Sequence, residues 1–218
     1  MSVGWRKLGF GDAPAPPPLM GRRIYLRPPR LGDWREWADL RLFSRDFLTS
    51  WEPAWPSEAL TKATFRHRLR RNSREWRDDQ AYAFFLFRQD DDALIGGMTL
   101  SGLRRGVTQG GSLGYWIGRP HARQGHMSDA VQCVLDFAFD SLGLHRVEAA
   151  CLIHNDASRR LLTSSGFTHE GVGRGYLRID GAWQDHLLFA ILRTDPRPGR
   201  PPAPRTDGSG VAGLAGEL

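Results

Sequence analysis

A change of hydrophobic period near residue 118 constrains the fold more than any other feature of this sequence. Before it, three strand-like runs, residues 82–87, 93–100 and 112–117, are separated by three consecutive aspartates and by glycine-rich turns. After it, apolar side chains from Met127 to Leu142 recur every three or four residues, which predicts an amphipathic helix that Gly143 ends. A three-strand meander followed by a long helix is therefore expected at the centre of the fold.

Flanking segments extend this pattern in both directions. Residues 23–27 alternate as a first strand, and helices are predicted after Asp33 and across an arginine-rich segment that contains Phe65 and Trp76. Residues 146–153 form another strand, a helix starts at Asn155, and two strands from residue 167 are joined by a hairpin turn at Asp180-Gly181. The order β-α-α-β-β-β-α-β-α-β-β predicts an α/β (α+β) fold with one mixed sheet and helices on both faces.

The 218 residues suffice for one well-buried domain. Residues 1–20 are rich in Gly and Pro, and residues 195–218 contain few large apolar side chains, so neither segment buries enough surface to offset its ordering entropy. We expect a flexible N-terminal segment over 1–20, a single domain over 21–194 and a disordered tail over 195–218. Tryptophans 34, 37, 116 and 183 are expected in the core.

The net charge of +6 lies mostly on the folded part, since the residues after Leu192 hold four arginines against three acidic side chains. A basic domain suits an anionic partner such as nucleic acid, the ribosome surface or a phosphorylated cofactor; a simple compositional bias toward arginine explains it equally well. The sequence lacks a basic helix interleaved with aromatics, so direct nucleic-acid recognition is not predicted.

Cysteine and histidine placement argues against disulfide and metal chemistry. Cys133 and Cys151 lie in apolar periodic segments, which indicates reduced core thiols of a cytosolic protein. His145, His154 and His186 share no ligand spacing, so no metal site is expected. Without an apolar leader or an 18-residue apolar run, the cytoplasm is the expected compartment and no membrane contact is predicted.

The segment between the meander and the long helix offers a candidate anion site. It leaves a strand at Gly118, passes Arg123 and Gln124, and opens the helix after Gly125. Unpaired amides and the positive end of the helix dipole can hold a pyrophosphate there, and Gly125 would allow close approach of the backbone. One glycine before a helix is more often an ordinary strand-to-helix turn.

Further motifs occur in order along residues 22–192. They are Trp51-Glu52-Pro53, Gly114-Tyr115-Trp116-Ile117-Gly118, Gln124-Gly125-His126-Met127, His145-Arg146, His154-Asn155 with Ser158, Leu161-Leu162, Gly166-Phe167, Glu170-Gly171, Tyr176-Leu177 and Gly181-Ala182-Trp183-Gln184-Asp185-His186. With these motifs the chain resembles the GNAT acetyltransferase superfamily, and within it the RimJ/RimL branch of ribosomal-protein-alanine N-acetyltransferases. The resemblance implies a single, mostly antiparallel, twisted GNAT sheet.

The resemblance also implies an acetyl-CoA site in a splay between the strand ending at Gly118 and the strand of residues 146–153. The pyrophosphate would lie on the amides of residues 123–128, and the pantetheine arm would run along residues 116–118 and bond to Asn155. The implied cofactor-binding residues are Trp116, Ile117, Gly118, Arg123, Gln124, Gly125, His126, Met127, Ser128 and Asn155.

One position departs from the family pattern, because Arg123 stands where the cofactor turn usually has a glycine. Two interpretations remain open. Its guanidinium pairs with a CoA phosphate, or the backbone at this point no longer needs the conformational freedom of glycine.

Candidate catalytic residues are Ser158, Glu52 and Glu148. The resemblance places the Ser158 hydroxyl near the thioester sulfur as an acid, although a serine in a first helical turn is also an ordinary capping residue. Glu52 would hold the incoming ammonium or relay its proton, and otherwise is a surface carboxylate. Glu148 is a candidate base or a paired structural residue. Trp51, Glu52 and Trp55 are expected to bind the acceptor, since a loop rich in aromatics before the core sheet suits that role.

These features predict an enzyme that transfers acetyl from acetyl-CoA to a protein N-terminal α-amine, with direct attack in a ternary complex. The resemblance implies a ribosomal protein as acceptor. A small-molecule amine such as an aminoglycoside, polyamine or amino acid is the first alternative, and a non-catalytic CoA-binding or ribosome-associated module is the second. The sequence does not distinguish a monomer from a homodimer.

Overall fold

A computed structural model describes residues 16–199 and contains one eight-stranded sheet with helices on both faces. The helices are α1 (Trp34–Phe43), α2 (Arg45–Thr49), α3 (Lys62–Arg77), α4 (His126–Asp136) and α5 (Asp156–Ser164). The strands are β1 (Leu19–Met20), β2 (Ile24–Arg27), β3 (Tyr82–Arg88), β4 (Leu94–Arg104), β5 (Gly110–Ile117), β6 (Arg146–Leu152), β7 (Thr168–Ile179) and β8 (Ala182–Leu192). The predicted α/β class and the predicted order of elements are confirmed, with β1 and α2 added.

The sheet order is β1-β2-β3-β4-β5-β6-β8-β7, and every neighbouring pair is antiparallel except β5 and β6. The parallel pair is short, because its register runs only from Gly110↔Arg146 to Ser112↔Glu148. Beyond that point β5 continues to Ile117 and β6 to Leu152 without pairing with each other. We call the gap between residues 113–117 and 149–152 the splay.

Each face of the sheet has its own apolar core. On the α4–α5 face, Val131, Val134 and Leu135 of α4 are fully buried with Leu113 of β5. Because side chains alternate along a strand, neighbouring residues supply the other face. There Trp37 and Phe65 of α1 and α3 pack with their ring centroids 4.9 Å apart. The sheet therefore separates two apolar cores, one on each face.

The two cysteines belong to the α4–α5 face. Both thiols are free, with Cys151 buried in the core and Cys133 half-buried against it. Burial raises the pKa of the Cys133 thiol to about 12, and it also raises the pKa of Cys151. The predicted role as core thiols is confirmed.

The hairpin of β7 and β8 has the predicted turn, since Asp180 and Gly181 both have positive φ, 45° and 78°. The expectation that Trp183 is a core residue is wrong, because 69% of its surface is exposed. Trp183 lies in β8, and β6, which pairs with β8 on one side, ends at the pair Leu152↔His186. The first residues of β8 therefore have only β7 beside them. Trp37, by contrast, is fully buried, as expected.

Ordered contacts occur on both sides of the predicted domain limits. Leu19 and Met20 pair with β2, and at the other end Arg197 is buried and donates to Asp136 Oδ1 at 2.7 Å. The rest of the two predicted loose segments, residues 1–15 and 200–218, lies outside the described residues. The boundaries at 20 and 194 remain a prediction.

Candidate active site

The turn that leads into α4 has two features of an anion site, a glycine with positive φ and a helix start without a side-chain cap. Gly125 is the residue before the helix, with φ of 80°, and no side chain caps the helix start that follows it. The first helical amides, those of His126, Met127 and Ser128, therefore have no intrahelical acceptor. Arg23 Nη2 donates to Gln124 O at 2.7 Å and braces the turn from outside. The turn presents amides and the positive end of a helix dipole to one point.

The backbone conformation at Arg123 decides one of the two interpretations of why an arginine replaces the glycine of the family pattern. Its φ is 62°, so the backbone still adopts the left-handed conformation that glycine occupies without steric cost. The interpretation that the backbone no longer needs this freedom is wrong. A non-glycine residue in this region carries roughly 1–2 kcal/mol of strain, which directs attention to the guanidinium as the reason for an arginine here.

The edge of β5 that faces the splay is an open row of backbone groups. Gly118 N donates to Ile95 O at 2.8 Å on the β4 side, and Trp116 pairs with Gly97 in the same ladder. Since the direction of backbone groups alternates along a strand, those of Tyr115 and Ile117 point away from β4 and into the splay. An extended polar molecule can bond there as an additional strand.

A pair of hydroxyls lies on the α4–α5 side of the splay. Tyr115 OH and Ser158 Oγ are 2.6 Å apart, which joins β5 to the first turn of α5. Burial raises the pKa of Tyr115, while the hydrogen bond with Ser158 lowers it. The net shift is upward, so the phenol stays protonated at neutral pH and can donate.

Asn155 holds the start of α5. Its Oδ1 accepts from Ser158 N at 3.0 Å, which is an N-terminal cap. The main-chain amide of Ser158 is therefore bound by the cap, whereas its side-chain hydroxyl forms a hydrogen bond with Tyr115. This division means that the capping role and a chemical role for Ser158 are compatible.

The α1–α3 side of the splay holds charged groups among indole rings. The buried guanidinium of Arg41 forms an ion pair with Glu52, and Trp55 Nε1 donates to Glu52 Oε2 at 3.0 Å. Arg41 also stacks over Trp55 and Trp116, with its Cζ 4.3 Å and 4.9 Å from the ring centroids. A cavity of about 330 Å³, which we call the acceptor cavity, is lined by Arg41, Glu52, Trp55 and Trp116 among others.

Two of the predicted residues do not lie with the other members of their predicted sets. Trp51 packs against His154 with ring centroids 5.5 Å apart, at the end of β6, and does not line the acceptor cavity. Trp116, predicted with the cofactor residues, turns its ring over Gly97 toward Arg41 on the opposite face from Tyr115. The loop of Trp51 and Glu52 therefore spans from the acceptor cavity to the open end of the splay.

Glu148 lies at the closed end of the splay, opposite Ser112. It accepts from Arg104 Nη2 at 2.8 Å and from Arg146 Nε at 3.0 Å. Burial alone would raise the pKa of Glu148, but these two arginines lower it below its ordinary value. A carboxylate bound in this way is a weaker proton acceptor than a free one.

The sequence interpretation missed Tyr115 and Arg41 as site residues. Tyr115 lies in the motif of residues 114–118. The available signal was that neighbouring side chains of a strand point to opposite faces, which places Tyr115 and Trp116 on different sides of the sheet. Arg41 follows Trp37 by four positions and Trp34 by seven, so a charged residue falls on the apolar stripe of α1. That misfit is a signal of a buried ion pair, but its partner, eleven residues along the chain, is not evident from spacing.

The fit of acetyl-CoA can be tested on these features. The turn offers free amides for a pyrophosphate, and the φ of 80° at Gly125 favours glycine there, which leaves the backbone surface without a side chain. The open edge of β5 offers a partner for an extended amide-bearing arm, and a hydroxyl pair lies beside the splay. The residues present fit a pantetheine-linked acyl donor.

Within residues 16–199, no group of three or more His, Cys, Asp or Glu side chains is arranged to hold a metal ion. None of the helices in the same range combines the length and apolarity needed to cross a bilayer.

Comparison with known proteins agrees with this geometry. Residues 23–168 match the family described as "Acetyltransferase (GNAT) domain". The chain is 36% identical over 177 residues to the probable N-acetyltransferase YjcK of Bacillus subtilis, covering 81% of this chain and 98% of the relative. It is 34% identical to the ribosomal protein uS5-alanine N-acetyltransferase of Escherichia coli, covering 77% and 86%.

A solved structure with a bound ligand is also similar to this chain. Mycobacterium smegmatis RimJ in complex with CoA-disulfide superposes with a TM-score of 0.73 at 30% identity, covering 78% of this chain and 81% of that one. The splay, the turn before α4 and these relatives lead to one conclusion. The chain belongs to the GNAT family and is an acetyl-CoA-dependent N-acetyltransferase related to the RimJ/RimL ribosomal-protein acetyltransferases.

Proposed function

We propose that this enzyme acetylates the α-amine of a protein N-terminus, of the ribosomal-protein-alanine type, by direct attack in a ternary complex. The observation that carries the proposal is the acceptor cavity. Its lining includes Trp116 of strand β5, which borders the splay, and its carboxylate, Glu52, is already bound by Arg41 and Trp55. A polyamine or aminoglycoside would require free carboxylates for its several cations. The cytoplasm, where ribosomal proteins are made, is the compartment that this acceptor implies.

Each predicted cofactor residue has a definite part in this proposal. Acetyl-CoA supplies the activated acetyl group as a thioester. The amides of His126, Met127 and Ser128, with Arg123, Gln124 and Gly125, would hold its pyrophosphate, and Ile117 and Gly118 would flank its arm, which the Asn155 amide group also bonds. Trp116 we assign to the acceptor side, because its ring lines the acceptor cavity.

Proton transfer is assigned to the hydroxyl pair. Ser158 would donate its proton to the departing thiolate sulfur, and Tyr115 would replace that proton through the 2.6 Å hydrogen bond. Tyr115 would then take back a proton from solvent, which has received the one that the amine released. Because Tyr115 remains protonated at neutral pH, the pair holds a proton where the leaving group needs one. Glu148, bound by two arginines, we assign to holding the sheet at the closed end of the splay.

Activation of the amine needs little from the protein. With a pKa near 7.7–8.0, roughly 10–20% of α-amines are neutral at pH 7, against about 0.04% of lysine side chains. An α-amine acceptor can therefore transfer its proton to water or through Glu52 to solvent without a dedicated base. This ratio of several hundred also predicts selectivity against lysine side chains.

A peptide screen tests the proposal. Peptides with free N-termini, with Ala first among them, are incubated with acetyl-CoA and the enzyme, and the products are read by mass. Blocked N-termini and a lysine-containing peptide are the controls. Acetylation of free N-termini alone supports the proposal. Modification of lysine or of polyamines and aminoglycosides instead would assign a different acceptor, and the absence of transfer with any amine would indicate a non-catalytic CoA-binding protein.

A further inference from the structure

A second cavity lies beside the acceptor cavity on the α1–α3 face. Its volume is about 600 Å³, and it lies between α3 and the strands β3 and β4, where Thr99 and Ser101 add hydroxyls to its wall. The two cavities share Arg68 and Trp116 in their linings. A molecule that reaches the splay through the acceptor cavity therefore passes Arg68 if it extends into the larger one.

The charges around the two cavities do not cancel. Three arginines and two glutamates line them, and each glutamate has its own arginine. Arg41 binds Glu52, and Arg71 lies 3.7 Å from Glu75 by Nε and Oε1. Among the described residues, Arg68 forms neither an ion pair nor a hydrogen bond to a carboxylate. One positive charge at the junction of the cavities is thus left for something else.

Arg68 is held in place by an aromatic ring instead of a carboxylate. Its Cζ lies 5.0 Å from the centroid of Trp37, a residue that is completely buried. Burial lowers the pKa of Arg68, and the nearby charges of Arg41 and Arg71 lower it further, while Glu52 partly opposes them. The guanidinium is therefore positioned in a partly desolvated, electropositive place, which strengthens its attraction for an anion.

We propose that Arg68 binds a carboxylate of the acceptor, so that the preferred acceptor is an acidic peptide whose α-amine lies in the splay. The inference rests on the proposed function for the location of the amine, but the anion site stands on its own observations. A planar guanidinium can bind a carboxylate through two parallel hydrogen bonds. The carboxylate is either an Asp or Glu side chain near the N-terminus or the free C-terminus of a very short peptide.

The test compares matched peptides on matched variants. Peptides amidated at the C-terminus carry one Asp moved through positions two to five, and a second set carries Asn at the same positions. An Ala-Ala dipeptide with a free or an amidated C-terminus separates the two sources of the carboxylate. The variants are Arg68→Met, which keeps the length of the side chain without its charge, and Arg70→Met, an exposed residue of α3 that lines neither cavity.

The expected result is a loss of selectivity for the acid. Arg68→Met should lower kcat/KM for the best Asp peptide about tenfold, mostly through KM, and change the Asn peptide by less than about twofold. Arg70→Met should change neither. The inference is wrong if the wild-type enzyme does not prefer the acidic peptides, or if Arg68→Met affects Asp and Asn peptides equally.

A binding measurement separates this inference from the proposed function. N-acetylated Asp and Asn peptides, which are not acceptors, are titrated into the enzyme and into both variants. If no peptide is acetylated but the blocked Asp peptide binds, and binding is lost only in Arg68→Met, the anion site stands and the N-terminal function fails. If peptides are acetylated without regard to charge and the blocked peptides do not bind, the function stands and the anion site fails.

Discussion

On the α4–α5 face of the splay the candidate site consists of backbone amides and two neutral hydroxyls, whereas on the α1–α3 face it consists of arginines and glutamates packed against indole rings. In the proposed function the first face would bind the part that every acyl-CoA shares, for which main-chain groups are enough. The second face would discriminate among amines, and its side-chain charges would provide that discrimination. Substitutions on the two faces should therefore differ in kind: turnover and cofactor affinity on one, stability and acceptor affinity on the other.

Removing the hydroxyl of Ser158 should have the largest effect. Ser158→Ala is expected to lower kcat about 100-fold, the lower range for loss of a positioned proton donor. The affinity for acetyl-CoA should be nearly unchanged, because the cap by Asn155 uses the main-chain amide. Steady-state kinetics and calorimetry measure the two quantities.

The control for this change is Ser164→Ala, an exposed serine of the same helix whose hydroxyl donates to Leu161 O. If the two hydroxyls act as one unit, Tyr115→Phe should lower kcat similarly and the double variant should be no slower than either. Unchanged turnover in Ser158→Ala would remove the pair from the mechanism.

On the other face, Arg41→Met should reduce stability more than chemistry. Glu52 would lose its ion-pair partner among indole rings, which we expect to cost about 2 kcal/mol in the free energy of unfolding. Acceptor KM should rise as the wall of the acceptor cavity relaxes, while binding of acetyl-CoA stays the same. Urea denaturation and acceptor kinetics are the measurements.

A double variant sharpens this result. Arg41→Met with Glu52→Gln should recover part of the lost stability, since no unpaired charge then remains. Arg45→Met, on the exposed surface of α2, is the control. Simple additivity of the two single changes would mean that the ion pair does not couple these residues.

Arg123→Ala should have a smaller effect, confined to cofactor binding. It leaves a non-glycine residue on the strained backbone at φ of 62° and removes the side chain beyond Cβ, including the guanidinium. If that group meets a CoA phosphate, the Kd for acetyl-CoA should rise about three- to tenfold at low salt, and the difference should shrink at high salt. An effect independent of salt would contradict the phosphate contact, and Arg77→Ala, an exposed change on α3, controls for net charge.

Glu148→Gln should have the smallest effect on turnover, within about twofold, because Glu148 is bound by Arg104 and Arg146. The pKa of Glu148 is lowered in the folded protein. Its carboxylate therefore stabilises the fold fully at pH values above 4.5, the ordinary pKa of a glutamate. That stabilisation, under about 1 kcal/mol, is lost as the pH falls through the lowered pKa.

Unfolding measured at pH 7 and at low pH should show the difference between wild type and variant only at the higher pH. Glu170→Gln, which removes the other carboxylate bound by Arg146, is the matched control. A large loss of kcat in Glu148→Gln with intact folding would make Glu148 the base after all.

Much of the fold was accessible from the sequence because it depends on local pattern. The meander, the amphipathic period of α4 and the Asp180-Gly181 turn each arise from residues close in the chain. Trp183 was misassigned because burial depends on which strand lies beside it, and β6 ends before it. The two-residue strand β1 has too few residues for any periodicity, and it forms only because β2 offers an open edge.

The sequence by itself determined the order of elements, the membership of the family and the turn that suits a pyrophosphate, since these follow from periodicity and from ordered motifs. Only the tertiary structure decided that Tyr115 meets Ser158 across 43 positions, that Arg41 neutralises Glu52, and that Arg68 has no carboxylate partner within residues 16–199. The reason is physical: the splay of β5 and β6 sets which side chains share a space, and charge and proton chemistry depend on that shared space.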